Sequence, residues 1–419
     1  MPQISSSVAP NGLPIHRIAL PGTRTLTALV AFDAGARTEK PEENGIAHFL
    51  EHLVFKGGET YDHYRKVNET AERMGGVLNA FTSHSLVAFH ITVRAESAEP
   101  ALDLLTDFSG RPLLDAEELD KERGVVIQEI ARYNDQPSAL AEMLIDRAAF
   151  GDHPLGRPVL GPKEHLERFS RDQVVAFRDR RWSGRTGGAF LVGCLDHLPD
   201  DERLGELLGR FPDLEPDAPA DPAPAPRTDR VIESRDTNQS HLRIAYRPQV
   251  DATDPKVRAA LSIYGTLLGG SMGSRLFDEI REQRGLAYSV SASAWSIGDT
   301  AQLQLSAGLD SSKTDEAYAR MREIVRELHD DGPTAEEVAR ARAYTAGRLV
   351  LAFENSGAVA RHAANGTIVH DEAFDADATI ARMDAVTLDE VREVARAIDP
   401  AEAAVACVGP HEATDFDWS

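Results

Sequence analysis

The sequence predicts an α+β chain built from two homologous α/β domains, and three observations carry that expectation. The chain has 419 residues, too many for one ordinary hydrophobic core. Six prolines interleaved with Ala and Asp between Pro212 and Pro226 mark an extended, solvated linker. The flanking stretches echo each other at a spacing of roughly two hundred residues. The expected limits are 1–211 for a first domain, 212–227 for the linker and 228–419 for a second domain.

The elements follow in chain order. Leu26-Thr27-Ala28-Leu29-Val30-Ala31-Phe32 reads as a strand, and Ile46 to Phe55 as an apolar helix running into Gly57-Gly58. Glu117 to Tyr133 has the length and charge spacing of a long helix. A capping box at Ser170-Arg171-Asp172-Gln173 starts another helix, followed by a strand over Gly188–Gly193. The second half repeats the pattern. An apolar segment runs into Gly269-Gly270, Ala335-Glu336-Glu337-Val338 echoes Ala116-Glu117-Glu118-Leu119, and Thr387-Leu388-Asp389-Glu390 is a second capping box before a strand ending at Gly409.

Bulk properties exclude several functions. A net charge of −23 argues against nucleic acid or an anionic membrane as partner, and no apolar run is long enough to span a bilayer. Met1 to Ser7 shows neither a secretory nor a transit signal, so a cytoplasmic location is expected. Cys194 and Cys407 lie in apolar runs and are expected as buried free thiols. The stretch from Gly269 to Ser274 reads as a glycine-rich loop but lacks the Gly-Lys-Ser/Thr ending of a phosphate loop.

The chemistry is concentrated in His48-Phe49-Leu50-Glu51-His52. On a helix, positions i and i+4 project from one face, so the two imidazoles can take two corners of a tetrahedral zinc. Glu51 lies beside them, placed to act as general base on water at the metal. Two histidines do not close a zinc site; without a third donor the pentad is an ordinary amphipathic helix. Glu122 and Glu129 lie two turns apart on one helix face, and either could reach a metal. In the second half, aligning the double glycines sets Ala260, Ile263 and Tyr264 opposite His48, Glu51 and His52, so that copy has lost the ligands.

Several motifs in order resemble the M16 (pitrilysin-type, inverzincin) metallopeptidases, particularly short bacterial members related to the mitochondrial processing peptidase. They are His48–His52 with Phe55-Lys56-Gly57, Gly75 to Ser83, Glu122 to Ile130 and Phe150 to Gly156, then Ser274-Arg275-Leu276-Phe277, Ile280-Arg281-Glu282 and Gly285 to Val290. The resemblance implies a zinc endopeptidase with one Zn2+ per chain, Glu129 as third ligand and Glu122 orienting a ligand histidine. It further implies that Asn79-Ala80-Phe81-Thr82 is an edge strand to which an extended peptide adds, with Asn79, Ala80 and Phe81 binding it. Arg281 and Tyr288 would hold the substrate backbone, with Tyr288 stabilising the oxyanion. Ser85, Leu86 and Val87 depart from the family's usual residues, which bears on pocket specificity. His84, His90 and His153 are read as structural or surface histidines.

The expected substrate is a short or unfolded polypeptide held extended between two domains. A homodimer is expected, or a heterodimer with a second M16 subunit. The alternatives are the catalytic partner of a heterodimeric processing peptidase, or a non-catalytic binding subunit like the core subunits of the respiratory bc1 complex. Such non-catalytic relatives usually lose part of the zinc constellation, which is intact here.

Overall fold

The computed structural model describes residues 3–215 and 222–415, so the middle of the proline-rich segment, 216–221, lies outside the described residues. The strands are β1 (Gln3–Val8), β2 (Pro14–Ala19), β3 (Thr25–Phe32), β4 (Val77–Thr82), β5 (Val87–Arg94) and β6 (Gly187–Gly193). They continue with β7 (Arg230–Ser234), β8 (Gln239–Tyr246), β9 (Ala287–Ile297), β10 (Thr300–Asp310) and β11 (Ala403–Gly409). The first helices are α1 (Ile46–Val54), α2 (Tyr64–Arg73), α3 (Ala98–Gly110), α4 (Ala116–Asp135), α5 (Pro137–Phe150), α6 (Lys163–Leu166) and α7 (Arg171–Arg181). After them come α8 (Asp201–Leu208), α9 (Pro255–Gly265), α10 (Thr314–Asp330), α11 (Ala335–Phe353), α12 (Ser356–His370), α13 (Ala376–Ala385) and α14 (Leu388–Arg396). No helix among the described residues is long and apolar enough to cross a membrane.

Two sheets share one topology. The first runs β1-β2-β6-β3-β5-β4 and the second β7-β11-β8-β10-β9. Leaving out β1, both place the first strand beside the last, then the second, fourth and third. In both, the first–last pair is parallel and the other pairs are antiparallel. The duplication seen in the sequence is therefore a duplication of fold. Both expected capping boxes form, at Ser170 with Gln173 and at Thr387 with Glu390.

The compact units are not contiguous halves of the chain. One unit comprises Met1–Ile130, Pro158–Asp221 and Leu351–Ala376; the other comprises Ala131–Arg157, Pro222–Val350 and Asp377–Ser419. The expected limits 1–211 and 228–419 do not contain this exchange. Its cause is visible in the strands. On β3, Leu26, Ala28, Val30 and Phe32 face the main core of the first unit, while Leu29 and Ala31 face the other way. That second face is covered by Val359, Ala360, Ala363 and Ala364 of α12, and Thr27 Oγ1 lies 2.8 Å from Ser356 Oγ. In the second unit, Ile145, Ala148, Ala149 and Phe150 of α5 cover Ala245, Ala404 and Ala406. A sheet apolar on both faces needs a helix on each, and each copy supplies the outer helix of the other unit.

Two local readings change. Gly269 and Gly270 end a π-helical turn over Thr266–Gly270, so the loop begins only at Ser271. Cys194 follows β6 and is partly exposed; Cys407 is buried in β11, where burial pushes its thiol up to about 12.

Candidate metal centre

α1 is apolar on the face it buries through Ile46, Phe49, Leu50, Leu53 and Val54, leaving His48, Glu51 and His52 on the other side. Its entry is tightly specified. Gly45 has φ 100°, and a Cβ there would stand 2.7 Å from the Leu160 carbonyl oxygen. The buried Glu39 carboxyl accepts from Asn44 Nδ2 and the Gly45 amide, each at 2.9 Å, and from the Ala47 amide at 2.8 Å. The Gly45 and Ala47 amides at the helix start are thereby satisfied by one side chain, while Asn44 Nδ2 also donates to the Pro158 carbonyl at 2.9 Å. Sequence reading passed over Glu39, because its separations of 6 and 8 residues from Gly45 and Ala47 match no local capping motif.

α4 brings the carboxylates. Its inward positions Leu119, Glu122 and Val126 are buried. Glu122 Oε1 lies 2.8 Å from His52 Nδ1, and its other oxygen pairs with the Lys56 ammonium. Two turns on, Glu129 Oε2 stands 3.4 Å from His52 Nε2 and 3.9 Å from His48 Nε2. Geometry thus separates the two glutamates that spacing alone left equivalent.

Donor chemistry fits zinc. Two donors bound at about 2.1 Å to a tetrahedral zinc stand about 3.4 Å apart. His48, His52 and Glu129 each offer one ligand atom, all within 4.8 Å of one another, and they are the one such group among the described residues. Burial, with the His52 charge adding to it, lowers the His48 pKa to about 3, so its imidazole is neutral as a ligand must be. His48 Nδ1 is buried without a hydrogen-bond partner among the described residues, unlike His52 Nδ1.

Charges around the base pull in opposite directions. Burial opposes ionisation of Glu51 and raises its pKa; the Thr82 hydrogen bond and His52 work against that, and Glu129 adds to it. For His52, burial favours the neutral ring, but the Glu122 hydrogen bond and the charges of Glu122, Glu51 and Glu129 outweigh it and raise the pKa. Burial would raise Glu122 too, yet His52 and Lys56 bring it below the usual carboxylate range.

Among the described residues β4 is the terminal strand of its sheet, next to β5. Asn79 is exposed and its Oδ1 accepts from the Ala80 amide at 2.9 Å. Ala80 packs toward the main core, and Phe81 toward the face covered by α12. The contact from this stretch to the pentad comes from Thr82, whose hydroxyl donates to Glu51 Oε2 at 2.6 Å. Strand alternation places Thr82 on the face of Leu78 and Ala80; the edge-strand motif contained Thr82, but nothing in it pointed to Glu51.

Arg281 and Tyr288 belong to the other unit and are brought together there. The Arg281 guanidinium carbon lies 4.8 Å from the Phe277 ring centre and 6.0 Å from that of Tyr288, a side chain left 83% exposed. Ala260, Ile263 and Tyr264 are buried at 2%, 0% and 0% exposure, so the second copy fills the ligand positions with core. His84, His90 and His153 are not among the gathered metal donors.

Comparisons with known proteins agree with this division of labour. The family described as Insulinase (Peptidase family M16) matches residues 17–163, and that described as Peptidase M16 inactive domain matches 168–344. The uncharacterized zinc protease YmxG of Bacillus subtilis is 30% identical over 96% of this chain and 97% of its own length. Among solved structures, a peptidase M16 inactive domain from Pseudomonas fluorescens superposes with TM-score 0.89 at 17% identity, covering 98% of this chain and 99% of that one. A protease from Helicobacter pylori gives 0.85 at 19%, covering 98% and 100%. With the duplicated fold, the three gathered donors and a full-length relative at this identity, the chain belongs to peptidase family M16.

Proposed function

We propose that the chain is a zinc-dependent endopeptidase that hydrolyses short or unfolded peptides bound in extended form, with one zinc per chain. The observation that carries this reading is the approach of His48, His52 and Glu129 donor atoms to within 4.8 Å, with Glu51 on the same helix as the imidazoles. The curated relative's name, which includes zinc protease, supports it. Bound there, zinc would supply Lewis acidity toward the scissile carbonyl and lower the pKa of water toward neutrality.

The remaining work falls to this chain's side chains. Glu51 accepts the proton of the attacking water and returns it to the leaving amine. Its raised pKa suits both halves of that exchange. Glu122, braced by Lys56, holds the His52 ring so that Nε2 faces Glu129. The open edge of β4, with Asn79, Ala80 and Phe81, offers backbone groups to an extended peptide. Arg281 and Tyr288 supply donors to the substrate backbone, and two chains pair as short members of the family do.

The test is Glu51→Gln assayed beside the wild type, with zinc content determined for both. Stoichiometric zinc in both proteins and turnover lost by about a thousandfold or more in the variant is the expected result. Full turnover in Glu51→Gln, or wild-type protein that cannot be loaded with zinc, would overturn the reading.

A further inference from the structure

We propose, resting on the hydrolytic reading above, that Thr82 is a positioning residue for the base: its hydroxyl determines which oxygen of Glu51 is presented to the reacting water. The Thr82 hydroxyl donates to Glu51 Oε2 at 2.6 Å, a length typical of a hydrogen bond to a carboxylate. The bond is to Oε2, so that oxygen is tethered and Oε1 is the one presented. A glutamate on a helix surface otherwise samples several rotamers, and a general base works only within hydrogen-bond reach of its proton.

A tether is useful only if its own anchor is fixed, and here it is. Thr82 is β-branched, with few side-chain rotamers, and it ends β4 opposite Val87. The turn that follows is closed by the Ser83 amide to the Leu86 carbonyl at 2.8 Å and the Leu86 amide to Ser83 Oγ at 2.9 Å. The segment from Gly35 to Arg37 grips that turn with three amides, donating to Ser85 O at 3.1 Å, Ser83 O at 3.0 Å and His84 O at 2.8 Å. A Cβ on Gly35 would stand 2.5 Å from the Ser83 carbonyl oxygen, so only glycine permits this approach. Two residues further on, Glu39 binds the N-terminal turn of α1. One short stretch, 35–39, therefore grips both the strand end that carries Thr82 and the helix that carries Glu51. It registers the two partners against each other.

Thr82→Val removes the hydroxyl and keeps the shape; Thr82→Ser keeps the hydroxyl. Both are compared with wild-type holoenzyme on one synthetic peptide, for kcat and KM, for zinc affinity by chelator competition, and for the Glu51 position by crystallography. We expect Thr82→Val to lower kcat by about 10- to 100-fold with KM and zinc affinity unchanged, and Thr82→Ser to restore kcat. The Glu51 carboxylate should leave its position in Thr82→Val and keep it in Thr82→Ser. Unchanged kcat in Thr82→Val, equal damage in Thr82→Ser, loss of zinc in either, or an unmoved Glu51 overturns the proposal while leaving the peptidase reading intact. Zinc-loaded wild type that cleaves no peptide removes the reading and this inference together.

Discussion

His52 Nδ1 is hydrogen-bonded to Glu122 Oε1 at 2.8 Å, and that bond decides which ring nitrogen is left for a metal. Glu122 is the acceptor because His52 and Lys56 together hold it in its charged form. The ring is thereby turned so that Nε2 stands 3.4 Å from Glu129. Glu122→Gln keeps an acceptor but loses the charge and the Lys56 pair. It should weaken zinc binding by about 10- to 100-fold, read by competition with a chelator. Unchanged affinity would show that Glu129 and the helix alone set the ring.

Glu39→Ala strips the Gly45 and Ala47 amides, at the start of α1, of their acceptor inside the protein, and leaves Asn44 Nδ2 with the Pro158 carbonyl alone. Leaving such groups unsatisfied is expected to destabilise the chain by about 2–4 kcal/mol. The measurement is the denaturant midpoint of the metal-free protein. Zinc affinity should fall in the same variant, because the helix start that places His48 is loosened. A midpoint like the wild type's would mean that the turn is held by packing around Gly45 and Gly161.

Asp146 gives a pH dependence with a definite sign. It lies on α5 near Gln302 and Glu142; burial, reinforced by the Glu142 charge, raises its pKa from 3.8 to about 7. The folded chain thus holds this proton more tightly than the unfolded chain. The stability contributed is fully present below the unfolded value of about 3.9 and is lost as pH rises through about 7. Denaturant midpoints at pH 5 and pH 8 should differ more for the wild type than for Asp146→Asn. Equal differences would count against the assignment.

Arg281→Ala and Tyr288→Phe should each reduce peptide turnover by about 100-fold and leave zinc content unchanged, since both residues belong to the unit without metal ligands. Peptide assays with metal analysis check both halves. Loss of zinc in either variant would mean that these side chains act on the metal centre.

Much of this protein was legible in its sequence where the determining interactions are local. The capping boxes at Ser170 and Thr387, the strand Leu26–Phe32 and the one-sided helix Ile46–Val54 follow from spacing alone. Glu129 was distinguished from Glu122 by resemblance, and the physical reason became visible only with α4 set against α1. Glu39 belonged to no motif, and Lys56 and Thr82 lay inside motifs that assigned them no role of their own. Their partners lie 5–8, 66 and 31 residues away, too far for a local motif to show. The traded positions of α5 and α12 were hidden for the same reason: an amphipathic helix declares that it covers a sheet, not which one.

That trade has a consequence for any attempt to split the gene. A fragment ending before the proline-rich segment would leave Ile18, Leu29, Ala31, Phe190 and Val192 bare, because α12 would be encoded elsewhere. It would also carry an orphan α5 whose Ile145, Ala149 and Phe150 have no surface to cover. The complementary fragment would have the reverse fault. Each half therefore depends on a helix that the other half encodes.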